Sequence, residues 1–384
     1  MEVFMLSLPV IDFRSRIEQV VSKLDGQAML LMAQPQAYRN STVEAPWRQD
    51  GLFYYLTGFS ETESALLILS HRKQSEPRVI LFLRDKDPHA ELWNGLRLGV
   101  SAAKAQLPVD EAYSWEELWS KLPGLLSGSK GLFYSLGVWH DYDRKVIEAI
   151  RKHRVTSARN AAGMLSISDP AILGGSLRIK KGPEEVARMK AAAGITAAAF
   201  SRVLKELRPG QSERDVHGTL LYEFLRGGAE MEAYGSIVAG GNNACVLHYR
   251  DNNAPLRDGE LLLIDAGCQV ENYASDVTRT FPIGGKFSSA QKSLYSVCLK
   301  SQKDAIAAAK PGATWVDVQD AAFKTLTDGL IEVGLIKVSR DEAIEKNIHK
   351  QFCPHGISHW IGLDVHDSGQ YKHGETPIPF EPGM

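Results

Sequence analysis

The chain has 384 residues, 44% of them hydrophobic and 23% charged, which is enough to bury the cores of two domains. Its 44 Lys and Arg against 46 Asp and Glu leave a net charge of −2, so there is no electrostatic case for a nucleic-acid or anionic-membrane partner. No apolar run approaches the roughly 18–20 residues that span a bilayer, and no basic leader precedes the short apolar opening MEVFMLSLPV, so the expected location is the cytoplasm.

The first part reads as alternating helices and strands. Phe13, Ile17, Val20, Val21 and Leu24 recur at helical spacing. The apolar runs AMLLMA, LFYYLTGF, ALLILS and VILFL have the length of buried strands. A helix over SWEELWSKL, a strand over GLFYSLG and a helix over HDYDRKVIEAIRKH follow, giving an α/β unit with a mixed sheet. Periodicity fades between Asn160 and Gly175, which sets the expected domains at 1–172 and 173–384. The four cysteines, Cys245, Cys268, Cys298 and Cys353, form no Cys-x-x-Cys pair and are expected to be small buried hydrophobes.

The second part opens with a long helix. Pro183 stands at its first position, Glu184 and Glu185 lie in its first turn, and Pro209-Gly210 follows its end. Ser212 and Asp215 form a capping box for the next helix, DVHGTLLYEFLRGG. Strands are expected over SIVAG, ACVLHY, ELLLIDAGCQV and YASDVTRTF, then a helix capped by Ser288 and Gln291 and stopped by Pro311-Gly312. The segment Pro209-Gly210-Gln211-Ser212-x-x-Asp215-Val216 is echoed 102 residues later by Pro311-Gly312-Ala313-Thr314-x-x-Asp317-Val318. The first copy is followed by His248 and Asp258-Gly259, the second by His359 and Pro382-Gly383. That order implies a duplicated α+β domain with a site between its halves.

Two clusters carry chemistry. Asp265 ends the apolar strand LLLID, and Asp276 lies in the next strand, eleven residues on. A hairpin centred between Val270 and Glu271 sets the two acids directly opposite each other. Paired carboxylates among apolar residues need a cation between them, either a divalent metal or an ordinary ion-pair partner such as Arg279. The second cluster, His355-Gly-Ile-Ser-His359-Trp-Ile-Gly-Leu-Asp-Val-His366-Asp367, holds three of the chain's 11 histidines. Histidine is both a metal ligand and the physiological acid–base. His248, in CVLHY, is a further histidine expected in a strand. No Gly-x-Ser-x-Gly elbow, Walker A loop, Gly-x-Gly-x-x-Gly or His-Glu-x-x-His is present.

The stretches IDAGCQVENYASDVTRTFPIGGKFS and HGISHWIGLDVHD and the ending FEPGM closely resemble the bacterial Xaa-Pro aminopeptidases. The resemblance continues through YRNSTVEAPWRQDGLFYYLTGF, ELWNGLRLG and LRIKKGPEEVARMKAAAGIT, and so covers essentially the whole chain. It implies an α/β creatinase-like N-terminal domain and an α+β duplicated pita-bread metallopeptidase domain. It further implies that Asp265, Asp276 and His359 are metal ligands, with Asp276 bridging two divalent ions. Those ions are ordinarily Mn(II), with Zn or Co as other occupants. His248 and His366 match catalytic positions, and His355 and Tyr371 match positions lining the substrate. Trp93 matches an N-domain residue supplied by a neighbouring subunit, so a homo-oligomer, dimer or tetramer, is implied. The substrate implied is a peptide beginning Xaa-Pro. Two further glutamate ligands belong to the family pattern, and the internal echo places the first of them six residues after Gly383, so the sequence is expected to continue beyond Met384. A prolidase acting on Xaa-Pro dipeptides shares the same metal ligands, and a non-catalytic peptide-binding module is the alternative if the chain ends there.

Overall fold

The computed structural model describes residues 8–70, 77–157 and 166–384. Residues 160–165 of the stretch expected to hold the domain boundary lie outside the described residues. Two units result, Ile11–Leu177 and Arg178–Met384, and Leu8–Val10 belong with the second.

In chain order the first unit contains α1 (Phe13–Lys23), β1 (Ala28–Met32), α2 (Gly51–Thr57), β2 (Ala65–Leu69), β3 (Arg78–Leu83), α3 (Pro88–Asn94) and α4 (Val100–Gln106). It continues with β4 (Glu111–Ser114), α5 (Leu118–Leu125), β5 (Gly131–Phe133), α6 (His140–Ser157), β6 (Ser166–Ser168) and α7 (Ala171–Arg178). The six strands form one mixed sheet in the order β4-β3-β2-β1-β5-β6. Strands β1, β2 and β3 run antiparallel, while β4, β5 and β6 join in parallel. Every residue of β1 and β2 is buried, which is why both read as unbroken apolar runs rather than alternating ones. Leu118 and Leu122 of α5 and Val146 and Ile150 of α6 pack in the same core.

LFYYLTGF is a helix, not the expected strand. Asp50 caps α2 by accepting from the Phe53 N–H at 2.8 Å, and Gly58, at φ 64°, closes it through its N–H to the Tyr54 carbonyl. Start and stop signals eight residues apart outweigh the strand preference of the aromatic run.

The second unit contains α8 (Pro183–Glu206), α9 (Glu213–Arg226), β7 (Met231–Glu232), β8 (Ile237–Gly240), β9 (Leu261–Ala266), β10 (Cys268–Val270), β11 (Tyr273–Ala274) and β12 (Val277–Pro282). Helices α10 (Ser289–Ala308), α11 (Trp315–Glu332) and α12 (Arg340–Glu345) follow. β8, β9 and β12 form one antiparallel sheet and β7, β10 and β11 another. Phe200 of α8 and Val216, Leu220 and Phe224 of α9 share a core with Leu262 and Ile264 of β9. Each such side chain contributes roughly 1.5–3 kcal/mol by leaving water. ACVLHY is not the expected strand: residues Gly241–Cys245 form a 3-10 turn, and Gly241, at φ 54°, is incompatible with an extended ladder. Of the four cysteines only Cys268 is buried; Cys245 sits on that turn and Cys298 is exposed on α10.

The internal echo extends into three dimensions. Ser212 and Thr314 each begin a capping box, with Asp215 and Asp317 respectively. Gly210 and Gly312 have φ of 90° and 89°, and their N–H groups donate to the carbonyls of Leu256 (3.0 Å) and Phe380 (2.9 Å). Those two residues donate in return to Gln211 (2.8 Å) and Ala313 (2.7 Å). Val318, Ala322 and Leu326 of α11 match Val216, Leu220 and Phe224 of α9 at the 102-residue offset. The three residues on α11 line a cavity of about 1070 Å³. Among the described residues no helix is long and apolar enough to cross a membrane.

Candidate metal centre

The two acids stand on one hairpin. Its turn is Glu271-Asn272, both at positive φ (46° and 67°), and Val270 pairs with Tyr273. Two left-handed residues in succession match the twist of the flanking strands, and asparagine accepts that conformation more readily than most. The turn therefore lies one residue later than strand symmetry suggests. Asp265 pairs with Thr278, not with Asp276. Asp276 falls beside Gly267 and stands diagonally to Asp265 on the same face of the ladder. A Cβ at Gly267 would lie 1.8 Å from the Ser275 carbonyl oxygen, so only glycine lets the strands approach here.

A tyrosine joins the acids. The Tyr234 hydroxyl lies 2.5 Å from Asp265 Oδ1 and 2.8 Å from Asp276 Oδ1. One hydroxyl proton serves two carboxylates. Burial first, and then the two carboxylates, push the Tyr234 hydroxyl far above its ordinary pKa, so it stays a donor. Burial likewise raises the Asp265 carboxyl, opposed by the Tyr234 hydrogen bond and reinforced by the Asp276 charge. Asp276 moves down, chiefly because His359 bonds to it, against the effect of burial. His359 Nε2 lies 3.2 Å from Asp276 Oδ2, and this bond raises the imidazole against burial. Arg279, the alternative partner for the acids, bonds the Thr278 carbonyl at 2.7 Å.

The histidine loop docks onto this hairpin. The Ala274 N–H donates to the Gly362 carbonyl at 2.8 Å, and Asp367 N–H returns to the Trp360 carbonyl at 3.0 Å. His359 Nδ1 lies 2.9 Å from the Trp360 carbonyl oxygen, which orients the ring with Nε2 toward the carboxylates. His366 meets His359 edge to face, with ring centroids 4.3 Å apart. Arg178 Nη2 reaches Asp364 Oδ2 at 2.6 Å and also bonds Asp367 Oδ1, and Lys181 Nζ stands 3.6 Å from Asp367 Oδ2. Burial pulls the Lys181 ammonium down, opposed by Asp367.

The structure thus brings together Asp265, Asp276, His359 and His366. Their oxygen and imidazole donors suit a divalent cation, and Asp276 links the carboxylate pair to the histidine. Among the described residues no group of three or more His, Cys, Asp and Glu side chains is gathered to hold one ion. Tyr371 packs beneath the histidine loop: its hydroxyl accepts from the Trp360 N–H at 3.2 Å, and its ring stacks on Trp360 at 5.5 Å. His248 and His355 are exposed, the former on a turn, the latter with Nδ1 2.6 Å from the Gly356 carbonyl. Trp93 belongs to the other unit, exposed on α3.

Sequence reasoning missed Tyr234, whose neighbours MEAYGS carry no periodic cue, and Arg178, whose partners lie far along the chain. Tyr234→Phe is expected to keep the fold but weaken divalent-metal affinity roughly 10–100-fold, the usual range for an outer-shell partner. Metal titration followed by calorimetry checks this; unchanged affinity would remove Tyr234 from the centre.

A model of metallopeptidase family M24 matches residues 187–384, and one of the aminopeptidase P N-terminal domain matches residues 13–134. The Xaa-Pro aminopeptidase of Haemophilus influenzae is 39% identical, covering 99% of this chain and 86% of the relative. That of Escherichia coli is 38% identical over 97% of this chain and 84% of the relative. Among solved structures, aminopeptidase PepP of Pseudomonas aeruginosa superposes with a TM-score of 0.93 at 38% identity, covering 99% of this chain and 86% of that one.

Proposed function

Because the chain belongs to metallopeptidase family M24 and carries the aminopeptidase P N-terminal domain, we propose that it is a metal-dependent exopeptidase that releases the N-terminal residue from peptides with proline second. Similarity to Xaa-Pro aminopeptidases over 99% and 97% of the chain carries this reading. The division of labour proposed is an N-terminal creatinase-like domain over 1–172 and a pita-bread catalytic domain over 173–384, a boundary five residues before the break between the two units at Leu177 and Arg178.

Asp265, Asp276 and His359 would supply part of the ligand set of two divalent ions, with Asp276 shared and two glutamates of the family pattern completing the set; Mn(II) is the metal assigned, and Zn or Co are the alternatives. When bound, the metal polarises the scissile carbonyl and lowers the pKa of the attacking water. The remaining work belongs to side chains. A proline nitrogen has no N–H in the substrate and must gain a proton as it leaves. His366, beside Asp276, and His248 are assigned to donate to that nitrogen or to the developing oxyanion. His355 and Tyr371 are assigned to the substrate wall. The protein is read as a cytoplasmic homo-oligomer in which Trp93, 76% exposed beside Leu92 and Leu96, reaches a neighbour's site.

The test compares Xaa-Pro-Yaa, Xaa-Ala-Yaa and Xaa-Pro as substrates of the metal-loaded protein. The proline tripeptide is expected to exceed the alanine tripeptide by about 100-fold or more in kcat/KM. Equal cleavage of the alanine peptide removes the proline assignment, and cleavage of the dipeptide alone makes the protein a prolidase. In the same assay Trp93→Ala should slow tripeptide turnover in a folded protein; no change means that Trp93 builds no part of the site.

A further inference from the structure

Glu213 opens α9, where an acid suits the helix dipole, yet its side chain is completely buried. It is acceptor to four donors. Oε1 receives the Gly240 N–H (2.7 Å) and Asn243 Nδ2 (2.9 Å); Oε2 receives the Tyr249 hydroxyl (2.8 Å) and the Ala254 N–H (2.9 Å). Asn243 Nδ2 also donates to the Tyr249 hydroxyl at 3.1 Å, and the Glu213 N–H donates to the Ala254 carbonyl at 2.9 Å. Burial raises this carboxyl, but the four bonds outweigh it and hold it below the ordinary range, so it is an ionised acceptor.

These donors share one property: all come from the end of β8 or from the segment that joins it to β9. Gly240 is the last residue of β8, Asn243 lies in the 3-10 turn that follows, Tyr249 follows His248 directly, and Ala254 lies near the segment's end. From Gly241 to Asp251 the segment joins no strand ladder. Its own backbone closes local turns, with the Val246 N–H donating to the Asn243 carbonyl (3.0 Å) and the Tyr249 N–H to the Val246 carbonyl (3.2 Å), and Glu213 ties these turns together as a single charged hub. Asn252 adds a second tie nearby, accepting from the Val238 N–H (2.9 Å) and donating to the Ser236 carbonyl (2.8 Å). His248 itself is exposed at the tip of this tethered loop.

We propose that Glu213 is a positioning residue for peptide hydrolysis, acting through Tyr249 and Asn243 to present His248. The inference rests on the reading of His248 as a residue that touches substrate. A group that only supports folding would change stability in any background, whereas a positioning residue matters only while the residue it positions is present.

The experiment is a double-variant cycle in the metal-loaded, full-length enzyme with a proline tripeptide. Glu213→Gln would aim an NH2 group at N–H donors and endanger the fold, so the cycle uses Tyr249→Phe, which leaves the carboxylate and three of its bonds intact. Alone, Tyr249→Phe is expected to lower kcat on the order of 10-fold, with KM and metal content within about 2-fold of wild type. In a His248→Ala background it should change kcat less than about 2-fold. An equal loss of kcat in both backgrounds, or no loss in the wild-type background, overturns the positioning role. If His248→Ala itself leaves kcat unchanged, the reading of His248 is wrong and the inference falls with it.

Discussion

Replacing Asp276 with alanine is expected to cost the protein both its metal and its peptidase activity while the fold survives. Asp276 is the side chain that belongs to both halves of the centre. Through Oδ1 it shares the Tyr234 hydroxyl with Asp265, and through Oδ2 it meets His359. Removing it leaves Asp265 and His359 without their common partner. Loss of an outer-shell partner typically costs 10–100-fold in metal affinity or activity, so loss of the ligand proposed to be shared should exceed about 100-fold in both. Metal analysis after dialysis, run beside the tripeptide assay, measures it. His359→Ala should deplete one ion more than the other. His366→Ala should lower turnover and leave metal content near wild type. An Asp276→Ala protein that keeps its full metal content would sink the assignment, and so would full activity in the presence of a strong chelator.

Arg178→Met is expected to give the largest loss of stability of any single charge removal in the second unit. The Arg178 and Asp367 side chains are 5% and 2% exposed, and Asp364 joins them. Without the guanidinium, Asp367 is left buried with Lys181 at 3.6 Å, an ammonium that burial already disfavours. Breaking a buried pair by removing one partner costs about 3–5 kcal/mol. For a unit of this size each kcal/mol shifts Tm by about 2–4 °C, so the transition should fall by roughly 6–20 °C. Arg202→Ala is the comparison. Arg202 and Glu206 are 48% and 38% exposed, and solvent screens such a pair to about 1 kcal/mol or less. Calorimetry of the two variants decides the matter. If Arg178→Met shifts the transition no more than Arg202→Ala, the buried cluster is not what holds the histidine loop.

Much of this was readable from local chemistry. The capping boxes at Ser212, Ser288 and Thr314 are written in the sequence and form as written. The acids are legible because charge is rare in apolar strands, but their register is not, since Asp265 pairs with Thr278. Counting from the middle of the strands ignores the turn, and Asn272 pulls the turn one residue along. The caps of α2, Asp50 and Gly58, are equally legible, and they outweigh the strand preference of the aromatic run between them. Distance along the chain hid the rest. Arg178 finds Asp367 189 residues away, and Tyr234 finds Asp276 42 away, and neither pairing leaves a periodic trace. The loop that carries His248 looked like a strand because its apolar residues are contiguous. Its own 3-10 turn bends it, and the buried Glu213 carboxylate of α9 ties the bend in place.

The Glu271-Asn272 turn also divides the centre by how far the chain must travel to build it. Asp276 lies eleven positions after Asp265, across a two-residue turn, so closing the hairpin alone brings them near each other. His359 lies 83 residues beyond Asp276. Loop-closure entropy grows as the logarithm of length, and recruiting His359 costs about 2 kcal/mol more than pairing the acids. The carboxylate pair is thus a local object with a short memory of the rest of the protein. The histidine is brought there by distant packing, including the Ala274–Gly362 bond and the Arg178 clasp. Loosening that packing is therefore expected to detach His359 before the carboxylate pair separates.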